Sequence, residues 1–154
     1  MKLKVLKQAS LPDQLTAELE KRYDVYEYAA LSEEAFADLA GQFTVMITNG
    51  EAVVTRQLIA SLPSLELIAV FGVGYDGVDV AAAADHHVAV SHTPGVLTDD
   101  VADLAMGLML ATSRQIVSAQ KFIEAGSWHQ GGYPWTHKVS GARVGIVGMG
   151  RIGQ

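Results

Sequence analysis

Apolar runs of strand length recur along the chain at Leu3 to Leu6, Val25 to Tyr28, Phe43 to Thr48, Leu65 to Phe71 and Val88 to Ser91. Each is followed by a segment with helical punctuation. Ser32 ahead of Glu33 and Glu34 predicts an N-cap with acids at the positive end of the helix dipole, and Gly41 is placed to close that helix as a C′ glycine would. Thr55 predicts the cap of a short helix that must finish before Pro63, and Asp79 caps the segment "DVAAAADHH". Strands alternating with helices at this spacing predict a mostly parallel sheet covered on both faces. The fold expected for residues 1–98 is therefore a flavodoxin-like, doubly wound α/β sandwich.

From residue 99 the pattern changes. Thr98 predicts the cap of a long helix from Asp99 to Ala125, with Asp99 and Asp100 in its first turn and Gly126 just past its end. Val101, Leu104, Ala105, Leu108 and Met109 cover most of its circumference, so its first half is expected to be buried on several sides. The following stretch, "SWHQGGYPWTHKVSG", carries Trp128, Tyr133 and Trp135 and is too aromatic for a plain linker. Val144 to Val147 reads as a final buried strand. Gly148, Gly150 and Gly153 follow it in dinucleotide-loop spacing: one for the tight turn, one for backbone approach to a pyrophosphate, one for close helix packing. The helix and the ribose-reading residue that would complete such a site fall past Gln154, and a glycine-rich turn is the alternative.

Composition narrows the field. With 154 residues, 49% of them hydrophobic, the chain is long enough for a sizeable core. A net charge of −6 with only 11 basic residues, scattered, sets nucleic acid aside. The absence of Cys removes disulfides, thiolate metal sites and a cysteine nucleophile. "MKLKVLKQAS" is not a signal peptide and the longest apolar stretch is too short to span a bilayer, so a cytoplasmic protein without membrane contact is expected.

Candidate chemistry gathers at strand ends. "FGVGYDGVD", Phe71 to Asp79, falls where the fourth strand stops, the place where doubly wound sheets bind ligands. Gly72 and Gly74 would leave the amides of Val73, Gly74 and Tyr75 free to face an anion such as a substrate carboxylate. A plain turn with Asp76 and Asp79 as local caps remains open. "ITNG" ends the third strand in the same way, and Asn49 lines the same crevice either as a ligand contact or as a turn residue. His86 and His87 read as a solvated helix end. With His92, His129 and His137 they make no metal motif, so no metal is expected. No Gly-x-Ser-x-Gly elbow marks a hydrolase.

Taken in order, "FGVGYDGVD", "HTPGVLTDDVADLAMGLMLATSR", "FIEAGSW" and "GARVGIVGMGRIGQ" resemble the D-2-hydroxyacid dehydrogenase family, and most its glyoxylate/hydroxypyruvate reductase branch. The resemblance implies a substrate domain over residues 1–98 and the start of an NAD(P)-binding domain over 99–154. It implies NAD or NADP as cofactor, with weak or no dinucleotide binding expected of this chain alone, and a small 2-keto or 2-hydroxy acid as substrate. By the same resemblance Val73 and Gly74 offer amides to the substrate carboxylate, Thr98 approaches the nicotinamide or its phosphates, and Gly148, Gly150, Arg151, Ile152 and Gly153 cradle the pyrophosphate. The family's catalytic Arg, Glu and His match no position here, since every arginine (Arg22, Arg56, Arg114, Arg143, Arg151) lies at or before the glycine loop. The chain is expected to resemble the N-terminal half of a reductase and to be inactive alone. It is also expected to dimerise two-fold through the helix from Asp99 and the loop around Trp128, Tyr133 and Trp135, a loop that the resemblance sends toward the neighbour's active site. A stand-alone carboxylate-binding module and an interaction protein completed by a separate C-terminal fragment are the alternatives.

Overall fold

A computed structural model describes residues 2–154. They form two compact units, one running through Pro94 and the other from Gly95 to Gln154.

The first unit holds a five-stranded sheet of β1 (Lys4–Lys7), β2 (Asp24–Glu27), β3 (Val45–Asn49), β4 (Leu67–Phe71) and β5 (Ala89–Ser91), in spatial order β2-β1-β3-β4-β5. Every pairing is parallel. This is the flavodoxin-like arrangement, whose strand order reverses between β1 and β3. Helices α1 (Asp13–Arg22), α2 (Glu33–Leu39), α3 (Arg56–Ala60) and α4 (Val80–Asp85) make the crossovers. Register decides which side chains share a face: Leu6, Met46, Ile68 and Val90 stand opposite one another across β1, β3, β4 and β5. They form the larger core with Phe43, Leu58, Ile59, Ala82 and Ala83. On the other face Val5, Ile47 and Leu11 pack with Leu15 and Leu19 of α1, which are one helical turn apart and so share a stripe.

Cover of that second face is uneven. Leu67 and Ala69 are half-buried, and Phe71 and Ala89 are exposed, although the run "LIAVF" suggests a strand buried on both sides. Among the described residues, α1 is the helix packed there, over β1 and β3.

The predicted caps form. The side chains of Ser32, Thr55 and Asp79 accept hydrogen bonds from the amides of Ala35, Leu58 and Ala82 at 3.2, 3.2 and 2.8 Å. Gly41 does not act as a C′ glycine: the chain tightens into a 3₁₀ turn over Ala40–Gln42, an ordinary way to finish a helix without a left-handed residue. At the end of α4 the left-handed position is taken by His87, φ 59°, and the amide of Val88 reaches back to Ala83 O at 2.8 Å.

The second unit differs from expectation in three ways. The long helix is two helices, α5 (Thr98–Ser113) and α6 (Ile116–Glu124), separated by Gln115 in the left-handed region. No Gly or Pro causes the break. The loop that follows α6 returns to the corner: Arg114 Nε donates to Thr136 Oγ1 at 3.0 Å, Tyr133 donates to Gln115 Oε1 at 3.0 Å, and His137 N donates to Ser113 O at 3.2 Å. Tyr133 also bonds Ser118 and meets Phe122 edge-on at 5.3 Å. These contacts offset the roughly 1–2 kcal/mol that a non-glycine residue costs in that conformation. Neither α5 nor α6 buries a side chain, and Leu104 and Leu108 are 61% and 57% exposed, against the expected burial.

Val144 to Val147 is not a buried strand. The segment has no ladder partner among the described residues, and Val147 is fully exposed. A strand exists only through hydrogen bonds to a neighbour, so an apolar run of the right length is not sufficient. It lies instead beside Ala102, Ala105, Met106 and Met109 of α5, around a cleft of about 640 Å³.

Candidate functional site: a crevice at the strand ends

The carboxyl ends of β1, β3 and β4 open into a cleft of about 620 Å³ lined by Ser10, Leu11, Pro12, Asn49, Gly50, Glu51 and Phe71 to Gly74. It sits at the point where strand order reverses, so the loops leaving β1 and β3 diverge and leave a gap. Asn49, Val73 and Gly74 are brought together there.

The loops leaving β3 and β4 are zipped together. Val54 N donates to Gly77 O at 2.8 Å and Asp79 N to Val54 O at 3.0 Å, in an isolated parallel bridge between Val54 and Val78. The backbones approach so closely that a Cβ at Gly77 would lie 2.3 Å from Ala52 O, and one at Gly50 would lie 2.8 Å from Gly74 O. Glycine is required at both places because the obstacle is main chain and cannot rotate away. The turn-and-cap reading of "FGVGYDGVD" holds for Asp79, which caps α4, and for the turn over Tyr75–Val78, where Val78 N donates to Tyr75 O at 2.9 Å; Asp76 caps nothing among the described residues.

The amides of Val73, Gly74 and Tyr75 donate to no protein acceptor among the described residues. Three consecutive N–H groups without a protein acceptor are thus gathered in one exposed loop. The carbonyls beside them are engaged: Gly72 O accepts from Thr93 N at 2.9 Å, and Val73 O lies 2.9 Å from His92 Nδ1. The His92 ring in turn packs edge-on against Tyr75 at 4.8 Å.

Asn49 lines the cleft, yet its side chain is committed to the loop. Its Oδ1 accepts from Glu51 N and Ala52 N at 3.0 and 2.9 Å, and its Nδ2 donates to Ser10 O at 3.2 Å. It ties the β1 loop to the β3 loop. Beneath it Thr48, fully buried, donates to Gln8 Oε1 at 2.6 Å, and Gln8 Nε2 donates to Val53 O at 3.1 Å. Sequence reading missed Gln8 and Thr48. One hydroxyl inside an apolar strand was the available signal.

Arg56, on α3, binds Asp85 at 2.8 Å and lies 3.9 Å from Asp79. The hydrogen bond to Asp85 holds its guanidinium pKa above the usual value, and it is committed to these carboxylates instead of the cleft. No group of three or more His, Cys, Asp or Glu among the described residues could hold a metal ion, and no described helix is long and apolar enough to cross a membrane.

In the second unit Thr98 is the first residue of α5 and not its cap; that position is Leu97, which makes no side-chain bond. Gly148 has φ 95°, a Cβ at Gly153 would lie 2.2 Å from Gly148 O, and the Cβ direction at Gly150 is open. Arg151 and Ile152 are exposed, and residues 151–153 form a turn.

The sequence matches the family model for the catalytic domain of D-isomer specific 2-hydroxyacid dehydrogenases over residues 5–144. It is 40% identical to hydroxyphenylpyruvate reductase of Plectranthus scutellarioides over 97% of this chain and 48% of that protein. It is 37% identical to a glyoxylate/hydroxypyruvate reductase of Arabidopsis thaliana with the same coverage. Among solved structures, a 2-hydroxyacid dehydrogenase from Ketogulonicigenium vulgare superposes with a TM-score of 0.93 at 38% identity, over 99% of this chain and 49% of that one. An NADPH-dependent glyoxylate/hydroxypyruvate reductase from Sinorhizobium meliloti, in complex with NADP and malonate, gives 0.84 at 31% identity, over 99% and 48%. The chain spans about half the length of the curated relatives it matches. The five-stranded parallel sheet in 2-1-3-4-5 order matches the substrate-binding domain of these enzymes, and the chain belongs to the D-isomer specific 2-hydroxyacid dehydrogenase family.

Proposed function

We propose that residues 1–98 bind the carboxylate of a small 2-keto acid, of the glyoxylate or hydroxypyruvate type, for reduction by NADH or NADPH. The observation that carries this reading is the set of unpartnered amides at Val73, Gly74 and Tyr75 on the rim of the β1/β3/β4 cleft. A carboxylate accepts from several N–H groups at once, and charge-assisted bonds are shorter and stronger than neutral ones. Asn49 contributes by holding Gly50 and Glu51 in place; its own amide is already spent. When bound, the nicotinamide supplies the hydride that reaches the keto carbon, and the reaction takes up one proton at the keto oxygen. Anchoring the carboxylate fixes where that carbon lies, which is the positioning part of catalysis.

Residues 99–154 we read as the start of the cofactor domain, with Thr98 near the nicotinamide or its phosphates and Gly148, Gly150, Arg151, Ile152 and Gly153 around the pyrophosphate. The cleft lining contains neither Arg nor His, so the 154-residue chain by itself is expected to bind acid without reducing it. The exposed apolar side chains of α5 and α6, among them Leu104, Leu108, Ile116 and Val117, and the exposed Trp128 after α6 support a two-fold homodimer, since unpartnered apolar surface usually marks an interface. A cytoplasmic location agrees with this metabolic role.

Malonate is a non-reacting probe of the crevice. Titrated into the ¹⁵N-labelled chain, it should shift the amides of Val73, Gly74 and Tyr75 saturably; a titration that leaves these three unmoved rejects the carboxylate reading. NADPH oxidation with glyoxylate should stay at blank for this chain and appear when a C-terminal half of a related reductase is added. Turnover by the purified chain alone would reject its assignment as a binding half. Sedimentation equilibrium should give a dimer at tens of micromolar.

A further inference from the structure

We infer that His92 is a positioning residue for the anion-binding loop, holding the Val73–Gly74 peptide so that the Gly74 N–H faces the crevice. The inference deepens, and rests on, the carboxylate reading of the β1/β3/β4 cleft.

A trans peptide is planar, and its C=O and N–H point in opposite directions. Fixing a carbonyl on one side therefore aims the next residue's amide to the other. Two successive carbonyls of this loop are held from the same side: Gly72 O by the Thr93 amide and Val73 O by the His92 ring, both at 2.9 Å. Thr93 and His92 follow β5, which pairs with β4 on the side away from β3. The N–H groups of Val73 and Gly74 are thereby turned toward β3, where Asn49 and Gly50 line the cleft.

The two anchors differ in kind. The bond from Thr93 is made by main chain and would survive almost any substitution there. The bond to Val73 O depends on a side chain, and a carbonyl oxygen only accepts, so His92 must carry its proton on Nδ1. The edge-on contact with Tyr75, at 72° between planes, fixes the ring that makes it. His92 needs no contact with the ligand to act in this way, and its ring is not among the groups lining the cleft.

The variants His92→Asn and His92→Leu test this on the full chain. The amide nitrogen of Asn stands where Nδ1 stands, whereas Leu offers no donor. The Val73 carbonyl ¹³C resonance reports the bond without any ligand: it should move upfield in His92→Leu and stay near its wild-type position in His92→Asn. With malonate as probe, His92→Leu should weaken binding by about threefold to tenfold, the range expected for one neutral hydrogen bond, with the change concentrated at the Gly74 amide. His92→Asn should bind within about twofold of wild type on the same grounds. Dispersed sheet amides in both variants establish that each is folded. An unchanged Val73 carbonyl in His92→Leu overturns the inference, and so does equal weakening by both variants. If wild type fails to bind malonate while the carbonyl responds as expected, the orienting role of His92 stands and the carboxylate reading is what falls.

Discussion

Every buried apolar side chain among the described residues lies between Val5 and Val88, while α5 and α6, apolar over much of their surface, bury none. The two units thus use the same kind of residue to different ends. In the sheet unit, parallel register sets Leu6, Met46 and Ile68 side by side and the crossover helices close over them, so the core is satisfied within some ninety residues of chain. In the second unit, hydrogen bonds and aromatic contacts around Gln115 and Tyr133 fix the local path, and the apolar faces stay open. An apolar pattern specifies that a face wants cover; it does not say which chain supplies it.

The contrast predicts a steep ranking of mutational costs. Phe43, fully buried between strand and helix layers, should cost about 3–5 kcal/mol when changed to Ala, measured by urea unfolding of the sheet unit's amides. A loss below about 1 kcal/mol, far under the usual cost of such a cavity, would mean that the core is looser than its burial implies.

Gly77→Ala should come next, at roughly 1–3 kcal/mol, because the new methyl meets the Ala52 carbonyl in the zipped loops. The same variant should weaken malonate binding, since those loops frame the cleft; unaltered stability and binding would show that the loops part easily.

Asp79→Ala removes the cap of α4 and should cost about 1 kcal/mol. Unfolding midpoints of this variant and of Ser32→Ala, which removes the α2 cap, should fall by similar amounts.

The smallest effect is expected at Leu108. Changed to Ala at a concentration where the chain is monomeric, this exposed α5 residue should alter stability by no more than about 0.5 kcal/mol, and the same change should raise the dimer dissociation constant. A cost approaching that of Phe43→Ala would erase the distinction between the units.

What the sequence determined by itself was whatever depends on near neighbours. Ser32, Thr55 and Asp79 cap helices because each reaches an amide three residues on, and strand–helix alternation sets a parallel, doubly wound sheet because parallel strands need crossovers. The loop lining the crevice was legible for the same reason, as glycines at a strand end. Tertiary structure decided the rest. Asn49 became a loop tether through Ser10, His92 found Val73 across nineteen residues, and Gln115 took a left-handed conformation under contacts from Tyr133. Val144 to Val147 has the composition of a strand and no ladder. Each of these depends on a partner distant in sequence, and a hydrogen bond or a strand pairing is a property of two segments that neither one encodes alone.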